Sequence, residues 1–163
     1  MIQPIVGFAA FIFVVFIVIR SANKSRKEQY EKLIEGLKTE TEFFIEQTKS
    51  STMTIGLNNR EFLFNRCDLY LTKNAIIILG FTKDSIFKQL SLPIILTGEL
   101  NEFSDRFPFA YVKKANKISF ENNIVKINFR EKGITKTEVI LKLYSLNDNE
   151  KNKIEQLAEK NCW

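Results

Sequence analysis

Apolar side chains run without a charged interruption from Ile2 to Ile19, and Gln3 is the one strongly polar residue among them. As a helix rising about 1.5 Å per residue, such a block approaches the roughly 30 Å hydrocarbon core of a bilayer. Every face of it is apolar, which predicts a membrane-spanning helix over residues 1–20 and not one side of a soluble domain. After Arg20 the apolar positions thin to a helical period: Tyr30, Leu33, Ile34 and Leu37 share one stripe. Ser25 with Glu28 and Thr39 with Glu42 fit capping boxes, so residues 21–50 are expected to form a helical stalk, of one helix or two. From residue 51 the period changes to two. Strands are expected over 52–57, 64–72 (Cys67, Leu69 and Leu71 on one face), 75–81, 90–97, 110–120, 124–129 and 136–146. Lys73-Asn74 makes a tight turn between the second and third of these. Pro93 has no N–H for a ladder, so an edge or a bulge is expected there. Residues 98–109 form a longer connection with one helical turn. Asn147 with Glu150 caps a last amphipathic helix with Ile154, Leu157 and Ala158 as its buried stripe.

The fold class expected is therefore α+β, mainly β. A transmembrane anchor (1–20) and a juxtamembrane helical stalk (21–50) lead into one domain (51–163). In that domain about seven antiparallel strands form a bent sheet or barrel closed by the C-terminal helix. No Lys or Arg precedes the apolar run, and Ser21-Ala22 lies between Arg20 and Asn23-Lys24, a poor cleavage context, so the anchor is expected to stay attached. Arg20, Lys24, Arg26 and Lys27 follow the span. The positive-inside rule then places the N-terminus outside and the C-terminal domain in the cytoplasm. These four residues serve first as a stop-transfer flank and can also meet anionic headgroups.

Composition narrows the chemistry. The chain carries 24 basic and 19 acidic residues, a net charge of +5, interspersed and without the dense basic stripe of a nucleic-acid surface. There is no histidine, which removes the commonest general base and metal ligand. The six glycines are scattered and form no phosphate-cradling loop. Cys67 alternates onto an apolar face and reads as a core thiol. No cofactor, metal or catalytic residue is indicated, and no enzyme activity is expected.

The order of short strands closed by one amphipathic helix resembles the pleckstrin-homology-like (PH-like) superfold, including bacterial PH and GRAM-type domains. The resemblance is carried by NRCDLYLTKNAIIILGF as an early hairpin, KISFENNIVKINF and TEVILKLYSL as a later meander, and NDNEKNKIEQLAEKN as the closing helix. It implies a module that binds lipid, peptide or protein. Phosphoinositide-binding members place several basic residues around the first hairpin loop, whereas here that turn offers Lys73 and the next loop Lys83 and Lys88.

Two groups stand out as contact candidates. Lys113, Lys114 and Lys117, beside Tyr111, could touch anionic lipid or another ligand; lysines of this kind also protect sheet edges. Phe103, Phe107 and Phe109, in a connection that also holds Glu99, Glu102 and Asp105, form a candidate partner loop or else pack over an end of the barrel. The function expected is a single-pass, membrane-anchored, non-enzymatic binding module for a protein, peptide or anionic lipid at the cytoplasmic membrane face. The alternative is a structural component of a membrane protein complex. Oligomeric state is not set by these features.

Overall fold

The computed structural model describes residues 3–55, 62–83, 89–121, 123–131 and 137–163, with side chains throughout except at 3–12 and 131. The first element is a 35-residue helix, α1 (Gln3–Leu37). The apolar stripe of its second half is buried: Leu33 and Leu37 are enclosed, and Tyr30 nearly so. The helix ends in a short turn, where Lys38 N–H donates to the Glu35 carbonyl at 3.3 Å and Glu40 N–H to that of Leu37 at 2.9 Å. The chain then enters a strand at Thr41.

That strand, β1 (Thr41–Ile55), has 15 residues and organises the sheet. Residues 41–49 pair antiparallel with β2 (Arg66–Thr72), and residues 49–55 pair antiparallel with β8 (Thr137–Tyr144). The register slips between Ile45 and Thr48, and Gln47 there has φ of 48°. The extra residues of a bulge bend and twist a strand, so one strand serves two half-sheets. In one, β2 leads outward to β3 (Ala75–Phe81), β4 (Ile94–Thr97) and β5 (Tyr111–Lys113); in the other, β8 leads to β7 (Ile124–Glu131) and β6 (Ala115–Glu121). A seven-residue helix, α2 (Leu100–Arg106), connects β4 to β5, and α3 (Asp148–Lys160) follows β8.

The two half-sheets enclose the main core, built from Cys67, Leu69 and Leu71 of β2, Ile76 and Ile78 of β3, and the alternating Val125, Ile127, Phe129 and Val139, Leu141, Leu143 of β7 and β8. Ile154, Leu157 and Ala158 of α3 join it. A complete capping box starts α3: the Asn147 side chain accepts from Glu150 N–H at 2.9 Å, and the Glu150 carboxylate accepts from Asn147 N–H at 2.8 Å. A second core lies on the outer side of the first half-sheet, where Tyr30, Leu33 and Leu37 of α1 meet Ala75, Ile77, Leu79 and Ile95 under Phe103 and Phe107. All seven residues of β3 are therefore buried, which is why AIIILGF reads as an unbroken apolar run.

Several expectations are corrected here. The sheet has eight strands and is mixed, since β4 and β5 run parallel, in place of about seven antiparallel strands. The single strand expected over 110–120 is two. Around Lys114 the chain leaves β5, at one edge, and continues as β6, at the other. The expected helical stalk over 21–50 is helical to Leu37 only, and 41–50 are the first part of β1. The Lys73-Asn74 turn does join β2 to β3, and the Asn74 amide there donates to the Glu99 carboxylate at 2.9 and 3.0 Å.

The membrane expectation is overturned as well. No helix among the described residues is long and apolar enough to cross a membrane. Beyond Ile19 the helix carries charges, and its stripe of Tyr30, Leu33 and Leu37 packs on the sheet. The single-pass anchor over 1–20, with an outside N-terminus and a cytoplasmic C-terminal domain, is accordingly withdrawn. Gly56 and Leu57 of the first expected strand, and Lys88 of the loop after β3, lie outside the described residues.

Candidate interaction face

The outer face of the first half-sheet is covered by α1 and α2. The outer face of the second, formed by the end of β1 with β8, β7 and β6, carries no helix among the described residues. Strict alternation sets what it presents. With Val139, Leu141 and Leu143 turned inward, β8 turns out Glu138, Ile140, Lys142 and Tyr144. By the same rule β7 turns out Ile124, Lys126, Asn128 and Arg130, β1 turns out Lys49, Ser51, Met53 and Ile55, and β6 turns out Lys117, Ser119 and Glu121.

The register joins these into rows across the strands. Ser51, Lys142, Lys126 and Ser119 form one row, and Met53, Ile140, Asn128 and Lys117 the next. Lys142 and Lys126 are thus directly opposite each other on the two central strands. Like charges placed so are unfavourable by up to about 1 kcal/mol. Glu121 offsets part of this through its ion pair with Lys126. That hydrogen bond and charge hold the Glu121 carboxyl below the usual carboxylate range, with the nearby Lys117 and Lys142 adding to the effect. Lys49, Lys117, Lys126, Arg130 and Lys142 against Glu121 and Glu138 leave the face at +3, compared with +5 for the whole chain. Between the charges, Met53 and Ile55 stand 55% and 51% exposed. Ser51 and Tyr144 hydroxyls are hydrogen-bonded at 2.9 Å, which fixes one side of the surface. With strands about 4.8 Å apart and about 3.4 Å of rise per residue, the face measures roughly 14 by 20 Å, well under the ~800 Å² per partner of a standard interface. Such an area suits a short segment or a transient contact.

The residues singled out from sequence fall in three places. Arg20, Lys24 and Lys27 lie exposed along α1 and Arg26 is half-buried. Lys27 pairs with Glu31 at 3.6 Å, and Arg26 donates to Gln29 at 3.0 Å. Lys113, Lys114 and Lys117 do not form one patch. Lys113 sits on β5 with its ammonium 4.8 Å from the centre of the Tyr111 ring, Lys114 lies between the strands, and Lys117 joins the open face from β6. Both lysine-bearing strands are edges of the sheet, where lysine discourages pairing with other chains. Phe103 and Phe107 are each 4% exposed in the second core, and Phe109 is half-buried against them. Their rings hold α1 to the sheet and are not presented to solvent. Lys126, Lys142 and Met53 were missed because each belongs to the polar half of an alternating strand. The available signal was the complement of the inward set Val139, Leu141 and Leu143.

Among the described residues no group of three or more His, Cys, Asp or Glu is placed to hold a metal ion. Cys67 is enclosed in the main core and Cys162 is exposed, both as free thiols. No protein-family model matches the chain, and no curated protein is significantly similar to it in sequence.

Proposed function

We propose that this protein is a non-enzymatic binding module that recognises an acidic protein or peptide segment through the open face of β1, β8, β7 and β6. The observation that carries the reading is the pair of facing lysines, Lys126 and Lys142, on the central strands of an uncovered sheet face. Two cations held side by side are relieved by an incoming carboxylate. The exposed Met53 and Ile55 add apolar contact, which ions alone would not need. The resemblance to PH-like modules supports the same class of role, while the eighth strand and the parallel β4–β5 pair set this chain apart from the seven-strand plan.

The test uses the full chain against acidic, neutral and basic peptides of equal length, and against vesicles with and without phosphatidylserine. Retention of the acidic peptide that weakens with salt is expected, with about a tenfold loss in Lys142→Glu. Binding to phosphatidylserine vesicles and not to the peptide would assign the face to lipid instead. Equal retention of all three peptides would leave the lysines as a solvated surface and overturn the proposal. A second role, as an assembly component of a larger complex, predicts that the charge reversal leaves complex formation unchanged.

A further inference from the structure

A cleft of about 220 Å³ lies between α3 and the turn joining β2 to β3. Its floor is apolar, made by Phe43 of β1, Leu71 of β2 and Leu157 of α3; its rim carries Lys73, Lys153, Lys160 and Glu42. The sequence dictates the α3 wall. Residues 153, 156, 157 and 160 recur along one helix face, so turning Leu157 into the core aligns Lys153, Gln156 and Lys160 beside it. The opposite wall is held rigidly. Thr72 Oγ1 accepts from Ala75 N–H at 3.0 Å, and Lys160 Nζ donates to the Lys73 carbonyl at 3.1 Å and to Asn74 Oδ1 at 3.0 Å. Asn74 in turn donates to Glu99.

Lys160 therefore has two tasks already: it ties the turn to α3 and offsets the partial negative charge at the helix C-terminus. Lys73 and Lys153 remain as cations at the mouth of an apolar slot, with Glu42 as the one opposing charge on the rim. We propose that this cleft binds a monocarboxylate with a short apolar body, the carboxylate between Lys73 and Lys153 and the apolar part on Phe43, Leu71 and Leu157. The volume is below the roughly 300–1,000 Å³ usual for drug-sized ligands, which limits the body to a few carbons. A wall fixed beforehand spares the ligand the ordering of a loop. Two sources share this chemistry: a free acid, and the C-terminal residue of a peptide.

The experiment is a calorimetric and amide-resonance titration of the full chain with hexanoate, with hexanamide as its neutral counterpart, and with an acetylated dipeptide ending in leucine. Hexanoate or the dipeptide is expected to bind and to move resonances of residues 72–74 and 153–160, with hexanamide at least about tenfold weaker, equivalent to about 1.4 kcal/mol. The tighter of the two acids identifies the source. Lys153→Glu and Lys73→Glu, both at exposed positions, are each expected to weaken binding about tenfold with the melting temperature unchanged. Equal binding of hexanoate and hexanamide, or undiminished binding in both variants, overturns the proposal, as does the absence of binding by either acid. Neither variant touches the open sheet face, so peptide retention there is read independently.

Discussion

Leu33→Ala tests whether the second half of α1 belongs to the folded domain or merely leads into it. Leu33 is fully enclosed, in a cluster with Tyr30, Leu37, Ala75, Ile77, Leu79, Ile95, Phe103 and Phe107. Buried Leu→Ala changes cost about 2.7–5.0 kcal/mol, the higher values where the surroundings cannot close on the cavity. Here one wall is a sheet pinned by ladders on both sides of β3. The other is a helix tethered by the Tyr30 hydroxyl, which donates to the Gly80 and Ser91 carbonyls at 2.7 and 3.0 Å. Little collapse is available, so a loss of about 3–4 kcal/mol is expected. That is a large share of the roughly 5–15 kcal/mol that holds a domain of ordinary stability. The assay is urea unfolding of the full chain followed by far-UV circular dichroism. At a slope near 2 kcal/mol/M, the midpoint falls by about 1.5–2 M. Lys32→Ala, one residue away and exposed, is the control and should stay within about 0.5 kcal/mol of the parent. A Leu33→Ala midpoint indistinguishable from that of Lys32→Ala refutes the docking of α1 on β3.

Two further outcomes are expected. Burial pushes the Cys67 thiol from its ordinary 9.0 up to about 12, so the folded state keeps a proton that the unfolded state gives up. The stability this contributes is complete below pH 9 and is lost as pH rises toward 12. Between pH 9 and 10 the parent should lose about 1 kcal/mol more than Cys67→Ala in urea unfolding, the tyrosines acting equally in both; identical pH dependence would show that the thiol is not shielded. Gly80→Ala would place a methyl against the buried Phe64 ring and 2.7 Å from Ser91 Oγ. Overpacking of this kind costs about 1–3 kcal/mol, so the thermal midpoint should fall, and an unchanged midpoint would mean that Phe64 has room to move.

What the sequence determined by itself is local. The capping box at Asn147 and Glu150 involves groups three residues apart, so its geometry depends on nothing distant, and α3 starts where those residues put it. The two-residue period of β2, β7 and β8 likewise fixed which side chains turn inward. The unbroken run of β3 foretold burial on both faces, though not what would cover the second. Tertiary structure decided the rest. TEFFIEQTKS reads as helix at short range, yet it is strand because β2 and β8 both pair with β1, and ladder partners far along the chain outweigh weak local propensity. The stretch 110–120 divides at Lys114 because its halves find partners on opposite edges. The stripe Tyr30, Leu33 and Leu37 shows an apolar side but cannot show what lies against it. The open face exists only once register sets Lys126 opposite Lys142, residues 16 positions apart in sequence. Periodicity and caps act within a turn of helix or a pair of strands; burial and charge pairing are set by whichever distant segment fills the space, and that information is not carried by neighbours in the chain.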